Sequence, residues 1–284
     1  MPRDAVPWRK AKYGSLAIYY RDAEVPWVEL ARAYWQQRLA GLCAVASSRY
    51  TLVHRGELAI SRRVYYFKRF LLRQRRDWLK HVVCGSRAIR TVRHEERLQA
   101  LGFQVPRTYC VMQERHAGFV GQSAMISEAC DDATPLRDCL RPPAAQRPWT
   151  LAHKRAVLKA LATEVGNMHR VGVCHGDLHV GNILYRGTNG TMSFIWLDNE
   201  HTRQFRVLPR RKRLRNLKRL NRWRYGITKT DRMRFWKAYC VAAQIPLHQR
   251  KALARTVIAV APKKKKPQGG AAMPAGGMET QHKV

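Results

Sequence analysis

Acidic side chains are scarce in this sequence: 19 Asp and Glu stand against 54 Lys and Arg over 284 residues, a formal net charge of +35. So lopsided a balance favours anionic partners, among them nucleic acid, an anionic membrane surface and a phosphorylated substrate. Paired cysteine motifs are missing as well. The seven cysteines, at 43, 84, 110, 130, 139, 174 and 240, are odd in number and include no Cys-x-x-Cys, which argues against a zinc site or a disulfide framework. A reducing, cytosolic compartment is expected. No uninterrupted apolar run reaches the roughly 18 residues that a membrane span needs. The start, MPRDAVPWRKAKYGS, has charges but no following apolar segment, so no export signal is expected. What remains is a chain that is 45% hydrophobic, enough to bury one large core or two lobes of moderate size.

The halves differ in period. Residues 1–48 mix aromatics with charge, and apolar positions at Val28, Leu30, Ala31, Tyr34 and Leu39 predict a helical extension. From Arg49 the text turns β-rich. A turn is expected at His54-Arg55-Gly56, and Val64 to Phe67 is β-branched and aromatic, with Lys68 at the strand end. A helix follows from about Ser86 to Leu101, closed by Gly102; FQVPRTYCVM and GQSAMISEA read as further strands. Later, Leu151, Leu158, Leu161, Val165 and Met168 fall on one helical face that ends near Gly172. Thr188-Asn189-Gly190 is a hairpin signal that would pair VGNILY with MSFIWL. Residues 206 to about 260 look helical and basic. The end, KKKKPQGGAAMPAGGMETQHKV, is too low in complexity to bury a core.

The stretch VCHGDLHVGNILY holds the chemistry. Asp177 follows a helix in a short polar loop, Asn182 comes shortly after it, and the single hairpin that follows returns the chain to Asp198. Phosphoryl transfer requires a carboxylate to orient the attacking hydroxyl, oxygen ligands for Mg²⁺ and a cation on the transferring phosphates. Asp177, Asn182, Asp198 and Lys68 supply that set, and hard Mg²⁺ prefers such oxygen donors. Each residue has a blander reading. Asp177 could cap a turn, Lys68 could be a solvated strand end, and His175 with His179 could suggest a zinc pair that lacks a third ligand. His175 is expected to brace the loop.

HGDLHVGNIL resembles the catalytic loop of kinase-fold enzymes, and WLDNEH their metal-binding Asp segment. The closer resemblance is to the Kdo/WaaP lipopolysaccharide kinase family. It is carried also by YYFKRF, GSRAIR, GFQVPRTYCV, SEACDDATPLRDCL and ITKTDRMRFWKAY, in order, over roughly Arg49 to Tyr239. The resemblance implies an α+β, two-lobed protein-kinase-like fold: a β-rich N-lobe over 49–128 and a mainly helical C-lobe over 129–262. Residues 1–48 would extend it, and 263–284 would form a disordered basic tail. It implies ATP and Mg²⁺ as cofactors, Asp177 as catalytic base, and Lys68 on the α/β-phosphates. Asn182 and Asp198 would be metal ligands, and Glu128 to Cys130 an adenine-facing hinge. The helix acid paired with Lys68 falls near Thr91 in the family pattern; Glu95, one turn away, is the choice here over Glu96, which points about 100° aside. The chain departs from eukaryotic-type protein kinases in having Gly56 alone where they carry G-x-G-x-x-G.

The implied substrate is a sugar, Kdo or heptose, of a lipopolysaccharide core or a lipid-linked sugar, phosphorylated at the cytoplasmic face of a Gram-negative inner membrane. Two alternatives stay open: a kinase-fold enzyme acting on a small molecule or protein side chain, and a non-catalytic binding module. Arg206 to Arg224 bears on the partner. It has ten Lys and Arg and no acid, and Leu214, Leu217, Leu220 and Trp223 form an inward stripe beneath outward cations. An anionic leaflet would attract it by about 1 kcal/mol per basic residue near the surface. No nucleic-acid-binding motif accompanies it.

Overall fold

A computed structural model describes residues 7–22, 24–72, 85–116, 119–142, 149–188 and 191–259. The first half forms one antiparallel sheet of seven strands: β1 (Arg9–Tyr13), β2 (Leu16–Tyr20), β3 (Cys43–Val45), β4 (Thr51–Leu58), β5 (Arg63–Phe70), β6 (Thr108–His116) and β7 (Phe119–Glu128). Their spatial order is β1-β2-β6-β7-β5-β4-β3. Side chains alternate between its faces, as the period of two requires. Tyr65 and Phe67 of β5, Cys110 and Met112 of β6, and Ala124 and Ile126 of β7 pack with helix α1 (Trp27–Trp35). Phe70, Val111 and Met125 occupy the other face, beneath helix α2 (Arg87–Ala100). Lys68 shares that second face with Phe70, its Nζ 5.2 Å from the ring centre.

Two expectations need correction here. The stretch before Arg49 is not simply a helical extension: besides α1 it supplies β1, β2 and β3, so the sheet is incomplete without it. The short strands escaped notice because β1 is exposed on both faces and shows no alternation of apolar residues. Nor is there a turn at His54-Arg55-Gly56. Strand β4 runs through it, pairing Gly56 with Tyr65, and the reversal comes after Leu58, where Arg62 takes φ +50°. Gly56 serves a different need: a Cβ there would collide with the Leu42 side chain, which covers the strand. The helix from Ser86 is as expected, with the Ser86 hydroxyl accepting from the Ile89 N–H and Gly102 at φ +85° beyond its end.

The second half is helical around one ribbon. After α3 (Leu136–Leu140) come α4 (Leu151–Arg170), α5 (Arg210–Leu220), α6 (Lys229–Ala242) and α7 (Leu247–Ile258). Val157, Leu158, Leu161, Val165 and Met168 of α4 pack against Tyr239 and Cys240 of α6. Leu151, counted on this face from its spacing, is exposed instead. Gly166 lets the two helices touch, since a Cβ would strike Ala242 and the Ala243 backbone. Strands β10 (Ile183–Thr188) and β11 (Thr191–Trp196) pair as the hairpin signal predicts, with Ile183 opposite Trp196 and β8 (Thr134–Pro135) on the outer edge. Asn189 and Gly190, and the basic tail, lie outside the described residues. Among those described, no helix is long and apolar enough to cross a membrane.

The contribution of residues before 49 is measurable at Trp27. It is 1% exposed, stacked on Tyr109 at 5.3 Å and edge-on to Tyr65 at 5.5 Å. Trp27→Ala is expected to cost about 3–5 kcal/mol in urea unfolding, as for an aromatic deleted from a core; an unchanged midpoint would show the segment to be a dispensable appendage.

Candidate active site

The polar loop sits at the mouth between sheet and helices, and its backbone is held from several sides. Strand β9 (Val173–Cys174) pairs with β12 (Arg203–Gln204). His175 is fully buried; its Nδ1 accepts from the Asp177 N–H at 3.1 Å, so its Nε2 donates to the Leu197 carbonyl at 3.0 Å. Burial pushes its pKa down to about 4 and keeps it neutral. With both ring nitrogens committed to backbone it braces the loop, as expected, and cannot join His179 on zinc. No cluster able to hold a metal through three His, Cys, Asp or Glu occurs among the described residues. Gly176 is required by close approach, since a Cβ would meet the backbone of His201.

The structure brings Asp177, Asn182, Asp198 and Lys68 to this one place. Asn182 donates its Nδ2 to the Asp177 carbonyl at 3.0 Å, and its Oδ1 takes no hydrogen bond among the described residues. The Leu197 N–H donates to the Asn182 carbonyl at 2.9 Å, tying the two ends of the ribbon together. Asp198 then takes a left-handed conformation, φ +57° and ψ +55°. Asp tolerates that region better than most residues, and such strain concentrates at functional sites. Its Oδ1 accepts from Lys68 Nζ at 3.1 Å. Burial would raise the Asp198 carboxyl, but the Lys68 ammonium holds it below the usual carboxylate range. A carboxylate and an amide oxygen at this spot suit a hard divalent cation.

The remaining expected residues are placed differently. Glu95 does not pair with Lys68. It is 6% exposed, its Oε2 accepts from the Thr108 hydroxyl at 2.9 Å, and burial pushes its pKa up to about 7 against the opposing pull of Thr108 and Lys68. The choice over Glu96 follows the helix geometry: Glu96 faces away, bonded to Trp8 at 2.8 Å and Arg21 at 3.1 Å. Glu128 ends β7 at the crossing between halves, its carboxylate taken by Tyr109 at 3.0 Å and Arg63 at 3.4 Å. Cys130 is half-buried in the same connection, and burial raises its thiol pKa to about 11.

One group of residues escaped the sequence reading. Glu200, two beyond Asp198, is 5% exposed and accepts a bidentate pair from Arg87 at 2.9 and 2.8 Å, with Arg90 at 3.2 Å. Burial is outweighed by these guanidinium groups, which hold its pKa low. The signal was present in GSRAIR, whose two arginines lie three apart on one face of α2. Arg219 of α5 was the other miss: its Nη1 donates to Asp177 Oδ1 at 2.5 Å and to the Gly176 carbonyl at 2.7 Å.

Residues 32–239 match the lipopolysaccharide kinase (Kdo/WaaP) family. Among solved structures, one described as "WaaP in complex with acyl carrier protein" is similar in fold, with a TM-score of 0.61 and 20% identity, covering 84% of this chain and 95% of that one. No curated protein matches by sequence.

Glu95 gives the site a signature in stability. Its pKa moves from 4.5 to about 7 on folding, so between those values the folded protein keeps a proton that the unfolded chain releases. Stability therefore falls as pH rises through that interval, by on the order of 3 kcal/mol for this group. Glu95→Gln mimics the protonated form. Thermal melts should place it level with the parent near pH 5 and several degrees above it at pH 8; equal melting at pH 8 would refute the buried, proton-holding carboxyl.

Proposed function

The chain belongs to the lipopolysaccharide kinase (Kdo/WaaP) family, and from that premise we propose that it transfers the γ-phosphoryl group of ATP to a sugar hydroxyl, Kdo or heptose, of the lipopolysaccharide inner core. Membership makes it a kinase, and so a user of ATP. The acceptor and the residue roles are the proposal. It is carried by the convergence of Lys68 on Asp198 at 3.1 Å and of Asn182 on the Asp177 carbonyl at 3.0 Å, which gathers three oxygen-bearing side chains and one cation from distant parts of the sequence.

In this reading Asp177 orients the acceptor hydroxyl and takes its proton. The loose transition state of phosphoryl transfer asks more for positioning than for basicity, which suits an acid already held by a guanidinium. Lys68 offsets charge on the nucleotide phosphates. Asn182 Oδ1 and Asp198 would hold Mg²⁺, which when bound neutralises charge developing on the phosphates. Since the Glu128 carboxylate is engaged by Tyr109 and Arg63, the hinge would meet the adenine through its backbone. Peripheral attachment to an anionic membrane is supported by the net charge of +35 and the acid-free run from Arg206 to Arg224.

A second partner is favoured by a cavity of about 390 Å³ between α4, α5, α6 and α7, whose lining includes Leu158, Leu161, Leu217, Trp223, Phe235 and Trp236. Its apolar walls open beside the basic helix α5, a combination that fits an acyl chain presented by an anionic carrier; the solved structure of similar fold is described in complex with acyl carrier protein. Acylated carrier should raise the melting temperature of the purified protein, whereas carrier without an acyl group should not; equal effects would leave the cavity without this role.

The kinase reading is tested with γ-labelled ATP, Mg²⁺ and lipopolysaccharide whose core lacks phosphate. Label is expected in the lipid. Asp177→Ala should lower transfer by about 10²- to 10⁴-fold, the usual worth of a general base, with nucleotide binding largely retained. Asp198→Asn should lose Mg²⁺-dependent nucleotide affinity. An Asp177→Ala protein with full activity would sink the mechanism, and mutation-sensitive ATP turnover without labelled lipid would move the acceptor elsewhere.

A further inference from the structure

The basic helix α5 does not send all its cations outward. Asn216 and Arg219, three residues apart, lie on one face of the helix, and both reach the loop that carries Asp177. Asn216 is fully buried and donates its Nδ2 to the His175 carbonyl at 2.6 Å. That fixes its amide orientation, so its Oδ1 accepts from His169 Nε2 at 3.1 Å and His169 Nδ1 accepts from the Tyr239 hydroxyl at 2.8 Å. Burial lowers the His169 pKa to about 3, so the ring stays neutral and the chain of donors runs one way. Arg213 Nη1 closes it by donating to the Tyr239 oxygen at 3.2 Å. One helical turn on, Arg219 holds the Gly176 carbonyl and Asp177 Oδ1 with the same Nη1. Three consecutive loop residues are thus gripped from one helix.

The phosphotransfer reading gives that grip a purpose. A carboxylate that must stand beside a transferring, anionic phosphoryl group is repelled by it, and it has rotamers in which it turns away. A guanidinium bonded to one carboxylate oxygen counters both tendencies while leaving the other oxygen free. Among the described residues, the one polar partner of Asp177 Oδ2 is His179 Nε2, at 3.7 Å. Arg219 remains one-third exposed, with Nε and Nη2 making no bond among the described residues.

We propose, resting on that reading, that Arg219 is a positioning residue for Asp177: it fixes the carboxylate so that Oδ2 faces the acceptor hydroxyl, with Asn216 holding the backbone beneath. Both bonds come from one Nη1, whose two N–H groups lie in the rigid guanidinium plane and hold a carbonyl and a carboxylate at a set angle; the shorter side chain of Lys ends in a freely rotating ammonium that sets no such angle.

Arg219→Ala is expected to lower kcat about 10²-fold, the cost of a misplaced catalytic group, with KM for ATP changed less than about twofold and the melting temperature retained. Arg219→Lys should stay closer to Ala than to the parent. Added guanidinium should restore activity severalfold to Arg219→Ala and none to Asp177→Ala. Lys159→Ala, an exposed change on α4, serves as the neutral control. Unchanged kcat in Arg219→Ala overturns the proposal. So does a loss that guanidinium fails to repair and that comes with a lower melting temperature, since the role is then folding. Hydrogen exchange of amides 175–178, expected to quicken in Arg219→Ala, is read whether or not transfer occurs. Should the parent leave the lipopolysaccharide unlabelled, the acceptor reading falls, and unchanged exchange would overturn the grip of Arg219 on its own.

Discussion

The structure turns on Glu200. It is a buried carboxylate on the segment that carries Asp198, and it is clasped by two arginines of α2, a helix lying on the sheet. Neither partner can leave alone: stripping one side of a buried pair strands an uncompensated charge, at about 3–5 kcal/mol. The consequence is geometric. Lys68 rides on β5, beneath the same helix face, so fixing α2 against the segment 198–201 fixes the distance between Lys68 and Asp198. The bond between those two is half-exposed and worth little alone. Its register is supplied by the buried neighbour two residues on.

Scarcity of acid gives this arrangement its economy. With 19 acids among 54 bases, a chain could scatter its carboxylates as surface ion pairs to relieve repulsion. Here several are used for alignment. Asp177 is held by Arg219, Asp198 by Lys68, Glu200 by Arg87 and Arg90, and Asp231 caps α6 while pairing with Lys154 at 2.9 Å. Others do form surface pairs, among them Asp131 with Arg55 and Asp132 with Arg186, but 19 acids cannot match 54 bases, so an excess of cations stays as a positive field. That field draws anions toward the protein, which suits a phosphate-bearing nucleotide.

Much of this was legible in the sequence, for local reasons. The ribbon after Asp177 could be read because Asn-Gly turns and strand alternation act over a few residues, and the ribbon by itself brings Asn182 and Asp198 together. The helices of the second half show their apolar stripes; Leu151 misled because a residue in the first turn can satisfy the spacing yet project past the core. Strands β1 and β3 were illegible since an exposed edge strand has no face to bury, and β2, buried at Leu16, Ala17 and Ile18, is too short to show alternation. The expected pairing of Lys68 with Glu95 failed for a related reason. Helical phase correctly turned Glu95 inward and Glu96 outward, but phase says nothing of depth, and Glu95 sits deep enough to meet Thr108 and hold a proton.

Of the cations of the site, Lys68 was read only through the company of Asp177, Asn182 and Asp198, and Arg219 was not read at all. Lys68 comes from a strand far ahead of Asp177 in the chain and Arg219 from a helix well beyond it, so each is an ordinary basic residue until the fold delivers it. A basic helix read on its own promises outward charge, and composition strengthens that impression, because most positions of α5 are Lys or Arg. What distinguishes Arg219 is its neighbour in phase, Asn216, the one uncharged polar side chain within the helix. Its burial marks the inward face, and Arg219 is the cation that follows it there. The same helix buries Leu217 in the C-lobe core, so packing of that core and alignment of Asp177 are set by one element, and loosening the first displaces the second.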